Sequence, residues 1–304
     1  MEAVSAARGK RRGKRLSAHE ERAFWVFLSP WIVGFVLFSG GPIVASLVLS
    51  FSNYSITSPP SWLGWQNYIN LMSDPIFIKS VEVTLTYTVI AVPVSLVFAL
   101  GIAVLLVQKV RGVAVFRTIF YVPTVVSGVA VALLWEWVLN PEFGLANYVL
   151  SLFGLHGLLW FEGQRSVIPS FVLMAVWAMG GQMVIFLAAL KAVPQDLYEA
   201  AAIDGASPLR KFAHLTLPLI SPSILFNLIT GMIASFQVFV PAQVITQGGP
   251  NFASMFYVLY LFNNAFEYFR LGYASAQAWI LFALIMILTA LLLKLSSRYV
   301  YYES

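Results

Sequence analysis

Six long apolar stretches constrain this 304-residue chain more than any other feature. A transmembrane helix needs about 20 predominantly apolar residues, and each stretch is longer than that. In lipid, a helix satisfies its backbone hydrogen bonds within one segment. We therefore predict an all-α, polytopic membrane domain over 24–298 with six transmembrane helices. The predicted spans are 24–51, 81–107, 114–138, 167–192, 219–246 and 271–295.

The composition supports a membrane protein and excludes cysteine chemistry. Hydrophobic residues make up 60% of the chain and charged residues 10%, whereas a soluble domain has about 25% charged residues. The absence of cysteine rules out disulfides, cysteine-bound zinc and a thiol nucleophile. Prolines within the spans predict kinks. They are Pro30, Pro42, Pro93, Pro123, Pro169, Pro222 and Pro241.

The distribution of Lys and Arg predicts the orientation. With the N-terminus in the cytoplasm, fifteen of the eighteen basic residues fall on the inner side and only Lys79, Arg165 and Arg270 on the outer side. Both terminal tails, 1–23 and 299–304, are then cytoplasmic. A basic run beside a span sets orientation more often than it binds nucleic acid, so no nucleic-acid partner is predicted.

Three outer connections follow from this topology, at 52–80, 139–166 and 247–270. None is long enough for a domain of its own. Aromatic residues at the outer helix ends and in these connections are typical of the membrane interface. They are Trp62, Trp65, Tyr68, Trp135, Trp137 and Trp160.

The cytoplasmic loop between spans four and five has strong local structure. Pro194 suits the first turn of a helix, and Asp196 and Glu199 complement the positive end of its dipole. Three alanines, 200–202, have the highest helix propensity. Gly205 stands where a helix commonly ends in the left-handed conformation.

A second helix is predicted to begin at Ser207 and Pro208, as N-cap and first helical residue. The whole loop, 193–217, is thus helix, glycine turn and helix. Two explanations fit such a pair: docking to another protein, or an amphipathic helix on the lipid headgroups. The second requires a Lys/Arg face and larger apolar residues, so the pattern favours docking.

The same loop and a segment after span five match a known pattern. The matching segments are Glu199-Ala200-Ala201, Ile203-Asp204-Gly205-Ala206, Phe212, Leu215-Thr216-Leu217-Pro218 and Thr246-Gln247-Gly248-Gly249-Pro250. This combination resembles the EAA loop of ABC importer permeases, in particular the carbohydrate group that includes maltose and glycerol-3-phosphate transporters. The resemblance covers spans two to six and is strongest from about 165 to 255.

The resemblance implies a type I ABC importer permease fold and a division of labour among subunits. This chain would form half of a sugar path with a second homologous permease subunit, above two ABC ATPase subunits. An extracytoplasmic solute-binding protein would deliver the sugar. The residues implied to couple to the ATPase are Glu199, Ala200, Ala201, Ala202, Asp204, Gly205 and Arg210. Arg210 is either a salt-bridge partner or a solvated positive charge.

No cofactor, metal or catalytic site is predicted in this chain. The segment from Gly9 to Lys14 departs from a nucleotide-binding loop, because only three residues separate its glycines and Arg15 replaces Ser or Thr. ATP and Mg²⁺ are therefore expected on the partner ATPase subunits. The three histidines are dispersed, and no zinc-protease or serine-hydrolase motif occurs. The chain is predicted not to be an enzyme.

Polar and small residues within the spans predict a solute path, since such residues mark either pathways or helix contacts. The candidates are Thr124, Ser127, Trp177, Gly181, Gln182, Asn227, Gly231, Ser235 and Gln237. Asn227, Gly231, Ser235 and Val238 share one helical face. Hydrogen-bonding groups without charge, together with aromatic rings, suit a sugar. Ordinary helix packing explains any single member equally well.

A secondary carrier is the alternative function. Ion-coupled carriers generally need a carboxylate in mid-span, and the spans lack one. Glu136 lies between two tryptophans near the outer boundary, where an interfacial role is favoured. ATP dependence and co-purifying subunits would support the importer, and dependence on an ion gradient would support the carrier.

Overall fold

The computed structural model describes residues 18–56, 58–108 and 112–296. The basic run at 9–15, the inner-side residues Lys109, Arg111 and Arg298, and the C-terminal tail lie outside the described residues. The chain divides into two compact units between Val48 and Leu49, and each is described by itself.

The fold is mostly helical, as predicted. The regular elements are α1 Ala18–Phe35, α2 Gly41–Ser50, β1 Ser52–Ser55, β2 Ser58–Trp62, α3 Gln66–Ser73, α4 Pro75–Val107, α5 Val113–Tyr121, α6 Gly128–Val138, α7 Leu145–Leu152, α8 Val167–Trp177, α9 Gly180–Ala192, α10 Gln195–Ile203, α11 Pro208–Lys211, α12 Leu217–Leu219, α13 Ser221–Phe236, α14 Tyr257–Phe262 and α15 Leu271–Ser296. Short 3₁₀ segments lie at Val122–Thr124 and Trp160–Glu162, and π-helical turns at Val36–Gly40, Phe212–Thr216, Ala242–Thr246 and Asn263–Glu267.

Three helical segments are long and apolar enough to cross a membrane: Arg22–Ser50, α4 and α15. Three further pairs pass the same test together but are bent. The bends are 99° between Val113–Thr124 and α6, 46° between α8 and α9, and 67° between Pro208–Leu219 and α13. The described residues therefore contain six candidate spans if each bent pair counts as one.

Prolines account for only some of these bends. Pro123 lies in the 3₁₀ segment before the first bend, and Pro222 is the second residue of α13, after the break at Ile220. Pro93, in contrast, lies inside the uninterrupted helix α4. The break between α8 and α9 falls at Ala178 and Met179, without a proline.

The helix that contains the second predicted span begins six residues before position 81. Pro75 occupies its first turn, and the Oδ1 atom of Asp74 accepts hydrogen bonds from the backbone N–H groups of Ile76 at 2.9 Å and Phe77 at 3.2 Å. This cap stabilises the extra helical turns, which include Lys79.

The fifth predicted span, 219–246, is not one continuous helix. The helical path breaks at Ile220, and α13 ends at Phe236. The chain then passes through Gln237 into the π-helical turn Ala242–Thr246. The third predicted span, 114–138, is likewise interrupted between Thr124 and Gly128. Apolar composition alone does not show where a helix breaks.

A short two-stranded antiparallel sheet accompanies the helices. Strands β1 and β2 pair Ser52 with Trp62 and Asn53 with Ser61. The prolines of Ser58-Pro59-Pro60, a predicted turn signal, lie within β2. A strand at the edge of a sheet tolerates proline because it need not donate to a neighbour on both sides.

Helix α4 is the central element of the second unit and contacts α8, α9, α13 and α14. One hydrophobic cluster, including Leu71, Phe171 and Phe256, surrounds its first half. A second cluster, including Ala99 and Phe186, surrounds its second half. This packing places polar residues of α4 opposite those of α9 and α13.

Candidate functional site

The loop 193–217 forms the helix pair that its sequence predicts. Helix α10 covers Gln195–Ile203 with Asp196 in its first turn, and Pro194 precedes it at the N-cap position. On the exposed side of α10, Gln195 Nε2 donates to Glu199 Oε1 at 2.9 Å.

Gly205 ends α10 in a Schellman motif. The N–H of Ala206 donates to the carbonyl of Ala201 at 2.9 Å, and the N–H of Gly205 donates to that of Ala202 at 3.1 Å. Gly205 has φ +73°. A Cβ atom there would meet nothing within 4 Å, so only the backbone conformation requires glycine.

The second helix of the loop begins as predicted, with Ser207 as N-cap and Pro208 in the first turn. The Ser207 hydroxyl accepts from the N–H of Arg210 at 3.4 Å. The hydroxyl groups of Tyr198 and Thr216 lie 2.8 Å apart and hydrogen-bond, which connects α10 to the π-helical turn that follows α11. This bond holds the helix pair as one unit.

The side chains predicted to couple to the ATPase lie on the surface of this loop. Ala201 is half-buried, and the other six are exposed: Glu199, Ala200, Ala202, Asp204, Gly205 and Arg210. Among the described residues Arg210 makes no ion pair. Two large apolar side chains that the sequence analysis did not single out flank the glycine turn: Ile203 is 88% exposed and Leu209 77% exposed. Many other large apolar residues of this chain are exposed, so residue type alone could not have identified these two. Their position beside the glycine turn is the signal that could have done so.

A cavity of about 270 Å³ lies among α4, the α8–α9 pair and α13. Five predicted path residues line it: Thr124, Gly181, Gln182, Gly231 and Ser235. Val238, predicted on the same face as Gly231 and Ser235, also lines it. The described lining residues carry no charged side chain.

Gln182, which lines this cavity, has an unpaired hydrogen-bond acceptor. Its Oε1 atom is buried and has no hydrogen-bond partner. Gly231 leaves room beside it, because a Cβ atom there would come within 3.1 Å of Gln182 Nε2. Buried polar atoms are rarely left unpaired, so Gln182 offers a hydrogen-bonding position for a hydroxyl group or water.

The remaining four predicted path residues do not line this cavity. Ser127 is exposed at the start of α6, and Gln237 is exposed at the end of α13. Trp177 packs edge-on against Trp135, with ring centroids 5.8 Å apart. Asn227 is fully buried, and neither its Nδ2 nor its Oδ1 has a partner.

Helix α4 supplies cavity residues that the sequence analysis missed, notably Tyr87 and Ser95. Thr88, on the same helix, hydrogen-bonds through its hydroxyl to that of Ser235 at 2.8 Å. A signal was present in the sequence: Thr84, Tyr87, Thr88, Ala91 and Ser95 recur at helical spacing along one face.

A second cavity, of about 330 Å³, lies at the predicted outer side. Glu136 and Glu162 line it together with Thr246, Gly249 and Pro250 of the segment after span five. The Ser254 hydroxyl donates to Thr246 Oγ1 at 2.7 Å and also contacts the Gly249 carbonyl. Glu136 is thus an exposed residue of this cavity. The described residues contain no group of three potential metal ligands.

Asp74 joins three distant segments at this side. Its Oδ2 atom accepts hydrogen bonds from the hydroxyls of Tyr260 and, at 2.7 Å, Tyr273. Burial alone would raise the pKa of Asp74, but these bonds and those from the Ile76 and Phe77 backbone bring the pKa below its usual value. Burial is the main reason why the pKa of Tyr260 is raised to about 12, and the hydrogen bond to Asp74 contributes less.

Comparison with known proteins gives a consistent match. The family model described as binding-protein-dependent transport system inner membrane component matches residues 98–301. The probable ABC transporter permease protein YesP of Bacillus subtilis (strain 168) is 41% identical over 287 residues, covering 93% of each chain. The sulfoquinovosyl glycerol transport system permease protein SmoG of Agrobacterium fabrum is 32% identical, covering 89% of this chain and 92% of its own length.

A solved structure has the same fold. It is described as a bacterial alginate ABC transporter in complex with an alginate pentasaccharide-bound periplasmic protein. The superposition gives a TM-score of 0.82 at 21% identity and covers 92% of this chain and 96% of that chain.

Proposed function

The chain belongs to the family of binding-protein-dependent transport system inner membrane components, and we propose that it forms half of the path of an ATP-driven sugar importer. It is a multi-pass permease subunit of an ABC transporter, and the ATPase is a separate subunit. The observation that carries the proposal is the exposed helix pair of the EAA-like loop, with its glycine turn at Gly205.

Sugar as the solute class has two supports. A relative is named for transport of sulfoquinovosyl glycerol, and a structural relative is described with an alginate pentasaccharide-bound protein. The cavity beside Gln182 is also lined by uncharged hydroxyl, amide and aromatic groups. Such groups hydrogen-bond and stack against a sugar without placing a charge in the membrane. The solute-contacting residues proposed are Tyr87, Thr124, Gln182 and Ser235.

The coupling role is proposed for the surface around the glycine turn. Its polar and small residues are Glu199, the alanines 200–202, Asp204, Gly205 and Arg210. Ile203 supplies an apolar anchor. Small side chains allow another backbone to approach closely, while an exposed Ile of this kind gains free energy when a partner covers it. The Tyr198–Thr216 bond would transmit a pull on α10 to the entry of α13.

The proposed assembly contains a second homologous permease subunit, two ABC ATPase subunits that bind ATP and Mg²⁺, and an extracytoplasmic solute-binding protein. Membrane lipid surrounds it, and no nucleic acid takes part. Both termini of this chain face the cytoplasm, in accordance with the excess of Lys and Arg on that side. Binding of ATP would bias rigid-body rocking of the two permease subunits.

The coupling proposal is tested by Gly205→Val in the purified complex. A β-branched residue strongly disfavours positive φ, so the turn should be disrupted and α10 displaced. We expect the variant to lose co-purifying ATPase, or vanadate-sensitive ATPase activity stimulated by the binding protein. Gly112→Val is the matched control, since Gly112 has φ +82° and open space around its Cβ position.

Equal losses in the two glycine variants would show a general folding defect and contradict a specific coupling role. Purification of the wild-type chain without an ATPase, combined with solute flux that follows an ion gradient, would replace the importer with a secondary carrier.

The solute path is tested by Gln182→Leu. Leucine has similar volume but no hydrogen-bonding group, so uptake should fall about tenfold if one hydrogen bond of about 1.4 kcal/mol to the sugar is lost. Uptake of a panel of radiolabelled neutral oligosaccharides, with ATPase recovery as the control, measures this effect. Unchanged uptake of every transported sugar would exclude Gln182 from the path.

A further inference from the structure

The connection between α6 and α8 contains a segment that is unusually apolar for a loop. Residues 143–161, here named the apolar loop, contain no Lys, Arg, Asp or Glu. The segment includes α7 and the turn after it. A loop in water ordinarily carries polar residues, so this composition needs an explanation.

The backbone of the apolar loop is held by internal hydrogen bonds. Helix α7 ends in a Schellman motif: the N–H of Leu155 donates to the Leu150 carbonyl at 3.1 Å, and the N–H of Gly154 donates to that of Ser151 at 3.0 Å. Gly154 has φ +71°, which the motif requires.

Asn147 closes the loop from within. Its Nδ2 donates to the carbonyls of Pro141 at 2.9 Å and Leu158 at 3.0 Å. Its Oδ1 accepts from the N–H of Leu158 at 3.0 Å and from Trp160 Nε1 at 2.7 Å. One side chain therefore satisfies two carbonyls, one backbone donor and one indole.

The apolar side chains of this loop point outward. Phe153 is 76% exposed, Leu152 66% and Tyr148 62%. Leu155 and Leu159 are also more than half exposed. The exterior of the segment is thus mainly apolar, with the exposed Ser151 and His156 among the apolar side chains.

We propose that the apolar loop inserts into the membrane leaflet beside α6 and α8, which is the outer leaflet in the proposed orientation. Asn147 and the Schellman turn satisfy part of the irregular backbone, and water and headgroups at the surface of the leaflet can bond the rest. No charge has to be desolvated. The loop anchors the α6–α8 connection in lipid.

The test uses the absence of cysteine in the natural chain. Phe153→Cys and, independently, Leu155→Cys carry a nitroxide label in the whole complex reconstituted into phosphatidylethanolamine–phosphatidylglycerol vesicles. Gln164→Cys is the matched control, because Gln164 is exposed in the same connection beyond the apolar loop. Collision of the label with oxygen, which concentrates in lipid, is compared with collision with a water-soluble nickel chelate.

We expect the labels at 153 and 155 to collide more with oxygen and the label at 164 to collide more with the nickel chelate. Nickel accessibility at 153 and 155 equal to that at 164 would overturn the proposal. So would nickel accessibility that falls only after the solute-binding protein is added, because the loop would then be a protein-docking surface. None of these outcomes depends on whether sugar is the solute.

Discussion

Two loops of this chain end a helix with the same type of turn but have different surfaces. In the loop 193–217, α10 ends in a Schellman motif at Gly205, and in the apolar loop, α7 ends in one at Gly154. Around Gly205 lie alanines, carboxylates and Arg210, whereas the apolar loop has no acidic or basic side chain.

The difference shows that a capped helical turn does not specify its partner. The turn only fixes the direction in which side chains project. Small and charged residues around Gly205 suit a protein surface that must engage and release, and bulky apolar residues around Gly154 suit lipid. Each loop also has its own internal tie, Tyr198 to Thr216 in one and Asn147 in the other.

The strongest test of the comparison places the same charge in each loop. Ile203→Asp removes an apolar anchor whose burial stabilises binding by about 1.5–3 kcal/mol, so ATPase affinity should fall roughly tenfold to a hundredfold. Phe153→Asp should leave ATPase recovery unchanged, but should make a label at position 155 accessible to the nickel chelate. Titration of the ATPase subunit onto the reconstituted permease measures the first effect. Loss of ATPase affinity in both variants would abolish the distinction between the loops.

Removing the internal tie of the apolar loop should have a smaller, local effect. Asn147→Ala removes four hydrogen bonds and should destabilise the loop by about 2 kcal/mol or more, given about 0.5–1.5 kcal/mol for each bond. Hydrogen exchange of residues 143–161 should accelerate accordingly. Tyr198→Phe is the comparison, because it removes a single bond and should accelerate exchange only in α10. An unchanged exchange rate at 143–161 in Asn147→Ala would mean that lipid alone orders the loop.

The smallest effect at neutral pH is expected at Asp74, on the same side as the apolar loop. The pKa of Asp74 is lowered in the folded protein, so its bonds to Tyr260 and Tyr273 contribute stability above its unfolded pKa of about 3.9. That contribution is lost as the pH falls through the lower, folded pKa. Thermal unfolding of the complex should therefore show an acid-side decrease that is weaker in Asp74→Asn. Identical pH profiles for the two proteins would exclude this contribution.

Local sequence was sufficient where structure depends on neighbouring residues. The glycine turn at Gly205 and the start of α11 at Ser207 and Pro208 were predicted correctly, because caps and positive φ depend on a few adjacent residues. The mostly helical fold followed from apolar length. The breaks at Thr124–Gly128 and at Ile220 lie beside the predicted kinks at Pro123 and Pro222. The break at Ala178 and Met179 has no proline to mark it, and an apolar stretch remains apolar whether or not its helix is continuous.

The sequence by itself determined the membrane class, the family pattern and the helix pair around Gly205, because each depends on contiguous residues. Tertiary structure decided which polar residues meet: it placed Gln182 beside Gly231 and in one cavity with Tyr87, and excluded Trp177 and Asn227 from that cavity. It also brought Asp74 to Tyr260 and Tyr273, which lie 186 and 199 residues away in the chain. Helical periodicity fixes the face on which a side chain lies, but the partner of that face depends on how separate helices pack.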